Sequence, residues 1–180
     1  MTSVSPPERA TTTIRRVRPT DGPALSAIYA PFVTDSAISF EYEAPDGDTM
    51  AQRALVIDAT HAWLVAECNG QCLGYAYAGE FRSREAYRGT VEVSVYLHQA
   101  ARGRSLGARL YHALFAILAD QGRRMAIAVV TVPNPVSVRF HEQLGFRRIG
   151  VIEAAGYKFG RAHDVAYYQR EIGQDGRDCS

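Results

Sequence analysis

Hydrophobic and polar positions divide the chain into alternating and helical stretches. Trp63-Leu64-Val65-Ala66-Glu67, an Asn69-Gly70 pair and the run from Cys72 to Ala78 predict an antiparallel hairpin, because Asn-Gly suits the two-residue turn that joins twisted strands. From Thr90 to Leu97 the alternation is strict. Val91, Val93, Val95 and Leu97 define one face, so Thr90, Glu92, Ser94 and Tyr96 occupy the other. Leu106, Leu110, Leu114, Ile117 and Leu118 then recur at helical spacing. Met125 to Val132 is almost wholly apolar, as expected of a strand covered on both faces.

The remaining elements follow from punctuation. Thr13 to Arg18 alternates as a first strand, and Asp21 with Pro23 opens a helix whose apolar side is Leu25, Ile28 and Phe32. Asp21 is expected to accept from the free backbone N–H groups of that helix. A second helix is placed near 48–58. Asn134-Pro135 starts a late helix that Gly145 can end in a left-handed turn, and strands near 147–153 and 163–170 close the order. Strands and helices do not alternate regularly. The expected class is therefore α/β with a mixed, largely antiparallel sheet flanked by helices.

Repeats and linkers are absent between residues 12 and 172, which read as one domain; residues 1–11 and 173–180 read as loose tails. At 180 residues, 47% hydrophobic and 22% charged, the chain can fill one core. A formal net charge of +1 supplies no field for nucleic acid or anionic membrane, and no run approaches the roughly 20 apolar residues of a membrane span. Cys68 and Cys72 flank the hairpin turn and Cys179 lies near the end, so neither a disulfide framework nor a metal site is expected. A reducing cytoplasm fits that usage.

Arg102-Gly103-Arg104-Ser105-Leu106-Gly107 separates the clearest strand from the most amphipathic helix. Small residues let backbone close around a phosphate, the helix start offers unpaired N–H groups, and two arginines add charge. A basic loop without a ligand explains the same spacing. The segment is neither a Walker loop nor a dinucleotide fingerprint.

That loop resembles the pyrophosphate loop of the GCN5-related N-acetyltransferases (GNAT), usually written Gln/Arg-x-x-Gly-x-Gly/Ala. Residues 134–146, with Asn134, Ser137, Phe140, His141, Leu144, Gly145 and Phe146, resemble the same superfamily's late helix and turn. Trp63 to Glu67, Gly74 to Gly79, Thr90 to Tyr96, Gly156 to Gly160 and His163-Asp164-Val165 resemble its phosphinothricin acetyltransferase branch. The resemblance spans Ile14 to Arg170. It implies the GNAT acyl-CoA N-acyltransferase fold, acetyl-CoA as cosubstrate, no metal, a small amino-acid-like amine as acceptor and a homodimer.

By that resemblance, Glu92 is the general base, against the plain reading of a half-exposed strand carboxylate. Backbone groups of Val95, Tyr96 and Leu97 would hold the pantetheine arm, and residues 102–107 the diphosphate. Asn134 and Ser137 would also contact the cofactor, although helix capping accounts for Asn134 as well. His141 stands where many relatives carry the tyrosine that protonates the leaving thiolate; the alternative is a histidine on the helix surface. Phe40, Arg82, Arg84, Tyr87 and Lys158 would bind the acceptor, with core packing the alternative for Phe40 and Tyr87. Two positions depart from the family pattern. Ser105 replaces a glycine, which would weaken cofactor binding if its φ must be positive, and Gly89 replaces a frequent aromatic. Competing functions are an acetyltransferase for another amine (polyamine, aminoglycoside or protein N-terminus) and a non-catalytic acyl-CoA-binding module.

Overall fold

A computed structural model describes residues 11–103 and 105–173. The two expected tails, apart from Thr11 and Gly173, lie outside the described residues, as do Arg104 and Cys179. Seven strands form one sheet in the order β1-β2-β3-β4-β5-β7-β6. They are β1 (Thr13–Arg16), β2 (Ala62–Cys68), β3 (Gln71–Glu80), β4 (Thr90–Leu97), β5 (Met125–Val132), β6 (Arg147–Lys158) and β7 (Arg161–Glu171). Every pairing is antiparallel except β4 with β5. The mixed, largely antiparallel sheet expected from the element order is the one observed.

Four helices cover it: α1 (Gly22–Thr34), α2 (Gly47–Thr60), α3 (Leu106–Asp120) and α4 (Pro135–Gln143). The two faces of β4 separate two cores as its alternation requires. Val91 and Val93 are buried against the α3 side with Leu110, Tyr111, Leu114 and Leu118. Tyr96 joins the other cluster, where Leu25, Val33 and Met50 of α1 and α2 pack on Trp63, Val65 and Tyr75. Fully burying one such leucine contributes roughly 1.5–3 kcal/mol, so the α3 stripe alone anchors that helix.

Three expectations change. Asp21 precedes α1 but its carboxylate caps nothing in that helix. Arg15 instead grips it with two hydrogen bonds of 2.8 Å, and the Arg18 backbone N–H donates to it at 2.7 Å. A charged, two-pronged partner outcompetes neutral N–H groups. On β5, Val129 is 36% exposed, so the strand is not covered throughout. Finally, the last two strands are longer than expected and form one hairpin, turning at Phe159 and Gly160, both with positive φ.

Candidate active site

The parallel pairing of β4 with β5 lasts only three residues, from Thr90↔Met125 to Glu92↔Ile127. Beyond it, β4 continues on β3 through Leu97, while β5 continues on β7 through Val132. The sheet therefore forks just after Glu92. Val93 to Leu97 have no strand partner on the β5 side among the described residues, leaving backbone groups available to an extended ligand. Val95, Tyr96 and Leu97, expected to hold pantetheine, line that open arm.

Glu92 lies at the crotch, on the α1/α2 face, and is half-buried. Burial raises its pKa above the usual carboxylate value, opposed by the charge of Arg82. On the same face Tyr77 pairs with Ser94, the next inward residue of β4, and bonds its side chain. The Tyr77 hydroxyl also lies within the field of Glu92, Arg53 and Glu41. Reading the register of β3 against β4 would have shown Tyr77 beside Glu92; composition and spacing within β4 alone could not.

A short 3-10 turn (Gln99–Ala101) follows the open arm and leads to Arg102 and Gly103, and Ser105 precedes α3. Arg102 is exposed and its guanidinium lies 5.3 Å from the Phe32 ring centre. Gly103 has φ 75°, and Ser105 precedes α3 with φ 55° and ψ 14° and no side-chain cap. The serine that replaces the family glycine thus adopts the left-handed conformation a glycine favours. Leu106 is buried, and a Cβ on Gly107 would come within 3.1–3.2 Å of the Phe140 ring, so the start of α3 sits tightly on α4.

Asn134 Oδ1 accepts from the Ser137 backbone N–H at 3.1 Å, which makes it the cap of α4; its amide NH2 group has no partner among the described residues. His141 is not on the helix surface. It is 6% exposed, ringed by Tyr111, Phe140, Phe146 and Tyr168. Its Nδ1 lies 2.8 Å from the Ser137 carbonyl, which can only accept, so Nδ1 holds the ring proton. Nε2 then accepts from the Tyr111 hydroxyl at 3.3 Å. Burial lowers the His141 pKa despite the Ser137 bond. A neutral, enclosed imidazole has no free proton for a thiolate, and the spacing of α4 could not show what its last turn meets.

The acceptor candidates separate. Arg82, Arg84 and Tyr87 share a cleft of about 200 Å³ with Thr90, His61 and Arg123, and Arg82 lies 5.2 Å from the Phe81 ring centre. Glu92 is not in the lining of that cleft. Gly89 leaves room that the Arg124 guanidinium fills, 3.0 Å from where a Cβ would stand. Phe40 is elsewhere, over Gly156 and 6.2 Å from the His163 ring. Lys158 is not available to a substrate. It is 3% exposed and donates to the carbonyls of Val33, Ser36 and Ser39 at 2.5, 3.1 and 2.7 Å, using all three protons. It bolts the segment after α1 to the β6–β7 hairpin.

Among the described residues, no group of His, Cys, Asp and Glu is arranged to hold a metal, and no helix is long and apolar enough to cross a membrane.

Residues 14–166 match the model of the acetyltransferase (GNAT) domain. The chain is 42% identical to a phosphinothricin N-acetyltransferase of Alcaligenes faecalis over 91% of this chain and 84% of that protein. It is 34% identical to an L-methionine sulfoximine/L-methionine sulfone acetyltransferase of Pseudomonas paraeruginosa, over 88% of this chain and 94% of the relative. The crystal structure of a GNAT phosphinothricin acetyltransferase from Sinorhizobium meliloti in complex with acetyl-CoA superposes with a TM-score of 0.85 at 36% identity, covering 91% of this chain and 89% of that one.

Proposed function

The chain belongs to the GNAT acetyltransferase family, in its phosphinothricin acetyltransferase-like branch, and from that premise we propose that it acetylates the α-amino group of a small amino-acid-like acceptor. Acetyl-CoA supplies an acetyl group activated as a thioester. The fork after Glu92 carries the reading: a desolvated carboxylate stands where an unpaired strand arm begins. Relatives named for phosphinothricin and methionine sulfoximine support the acceptor class.

In this proposal the unpaired arm at Val95, Tyr96 and Leu97 pairs with pantetheine as an added strand. One of its N–H groups faces the oxygen on which charge develops. Residues 102–107 take the diphosphate at the start of α3, with Arg102 as its cation and Asn134 and Ser137 at the cofactor's edge. The acceptor enters as an ammonium. Glu92 removes one proton through a water, which frees the nitrogen lone pair to attack the acetyl carbon; as the tetrahedral adduct collapses the C–S bond breaks, and the second nitrogen proton passes through water to the leaving thiolate. His141 has no part in that last step. Arg82 and Arg84 hold the acceptor carboxylate, with Tyr87 beside them.

The same reading includes a homodimer in the cytoplasm. Supporting it, β6 is an edge strand whose Ile149, Val151 and Ile152 are exposed, and such an edge is a template for a second chain. Cys68 and Cys72 are free, as in a reducing compartment.

The test is release of free CoA thiol with a panel of amino acids and their sulfone, sulfoximine and phosphinate analogues, against polyamines and an aminoglycoside. Turnover confined to the amino-acid set supports the proposal. Turnover of polyamines alone, or acetyl-CoA binding without turnover, refutes it.

A further inference from the structure

Two glycines interrupt β3, and packing explains only one of them. A Cβ on Gly74 would stand 2.5 Å from the Leu97 side chain and 2.8 Å from the Tyr96 carbonyl oxygen, so no larger residue fits beside the open arm. Gly79 has no such neighbour. A Cβ built there meets nothing within 4 Å and its φ is not positive, so space and backbone both admit a side chain. A glycine inside a strand also costs stability relative to alanine. Where neither crowding nor conformation accounts for it, a strand glycine marks a place where another molecule comes close to the backbone.

Its position says which molecule. Gly79 pairs directly with Glu92, and Tyr77 pairs with Ser94. Directly opposed residues have Cβ positions about 4.5–5.5 Å apart, and all four of these residues belong to the α1/α2 face. Glycine and serine thus alternate with a carboxylate and a phenol ring, which leaves a depression between Glu92 and Tyr77. Neither of those side chains leans over Gly79. Trp63 stacks on the Tyr77 ring from β2, with ring centres 4.2 Å apart and planes 7° from parallel, and the Tyr77 hydroxyl bonds Ser94. Ile127, beside Glu92 on β5, is 5% exposed and closes the far side. On the remaining side lies Arg82, three residues past Gly79, whose charge acts on the Glu92 carboxylate.

An α-amino acid spans this arrangement through its α-carbon. Its nitrogen and carboxylate carbon are both bonded to that atom and lie only about 2.5 Å apart by standard backbone dimensions. An amine at Glu92 and a carboxylate turned to Arg82 therefore leave the α-carbon between them, over Gly79.

Resting on the acetyltransferase reading, we propose that Gly79 is a specificity-determining residue: the amine-bearing carbon of the acceptor lies against its bare backbone, between Glu92 and Arg82. The hydrogen of glycine leaves room for a substituted carbon. A methyl group at the same place takes the volume that the acceptor needs.

Gly79→Ala and Gly79→Val test this with L-methionine sulfone and phosphinothricin as acceptors. The acceptor kcat/KM should fall about 10–200-fold in Gly79→Ala, the range over which one methylene discriminates in a substrate pocket, and further in Gly79→Val. The KM for acetyl-CoA should stay within about twofold, because the loss is confined to the acceptor. Thermal midpoints should run the other way, with both variants at or above wild type, since alanine and valine suit a strand better than glycine. That opposition separates a filled binding space from a damaged fold. An acceptor kcat/KM in Gly79→Ala within about twofold of wild type overturns the proposal, as does a loss accompanied by a lowered midpoint or by an equal rise in the acetyl-CoA KM. If wild-type protein acetylates neither amino acid, the acceptor class fails and this inference with it; if wild type is active and both variants match it, only the assignment of Gly79 fails.

Discussion

Replacing Ser105 with glycine should make the protein more stable, against the usual cost of adding a glycine. Ser105 sits at φ 55° and ψ 14°, and its hydroxyl caps nothing in α3. For an L-residue that conformation costs about 1–2 kcal/mol. Glycine removes this cost and loosens the unfolded chain by roughly 0.5–1 kcal/mol. The exposed side chain has no recorded bond to lose, so the net gain is about 0.5–1 kcal/mol. Ser105→Ala is the control: it deletes the hydroxyl and keeps the Cβ, and should stay within about 0.5 kcal/mol of wild type. Urea unfolding reads the difference. With a slope of about 2 kcal/mol/M, Ser105→Gly should raise the midpoint by roughly 0.25–0.5 M with the slope unchanged. A lowered midpoint in Ser105→Gly, or an alanine variant that gains as much as the glycine one, would refute the reasoning.

Lys158→Met should destabilise the protein by about 2–4 kcal/mol, because three buried carbonyls lose their donor together; a change below about 1 kcal/mol in the same unfolding assay would contradict the bolt. Arg82→Ala and Arg84→Ala should each raise the acceptor KM about tenfold or more and leave the KM for acetyl-CoA within twofold, as expected for one charge-assisted hydrogen bond. Initial rates at varied acceptor and varied acetyl-CoA separate the two constants, and no selective rise in either variant places the carboxylate site elsewhere.

The elements legible in the sequence are those set by local period. β4 and β5 appear at the residues where alternation and the apolar run place them, and α3 follows its leucines. What the chain hid depends on partners far away in sequence. Lys158 has the composition of a surface cation, but its carbonyl partners lie 119 to 125 residues earlier. His141 occupies a position that looks open on a helical wheel, and only the arrival of Tyr111 and Tyr168 encloses it. Asp21 has the spacing of a helix cap, and Arg15, six residues earlier, takes it over.

Glu92 as the proton acceptor is the claim on which the mechanism stands, and the pH dependence of kcat for wild type and Glu92→Gln tests it most directly. Burial raises the carboxyl pKa in the folded protein, so the active ionised form is lost as pH falls through that raised value. Wild type should therefore show an acidic limb above the ordinary glutamate range. Glu92→Gln should lack that limb and fall about 10²–10³-fold in kcat while still binding acetyl-CoA. A Glu92→Gln enzyme with the wild-type limb and an undiminished rate would show that the proton leaves by another group.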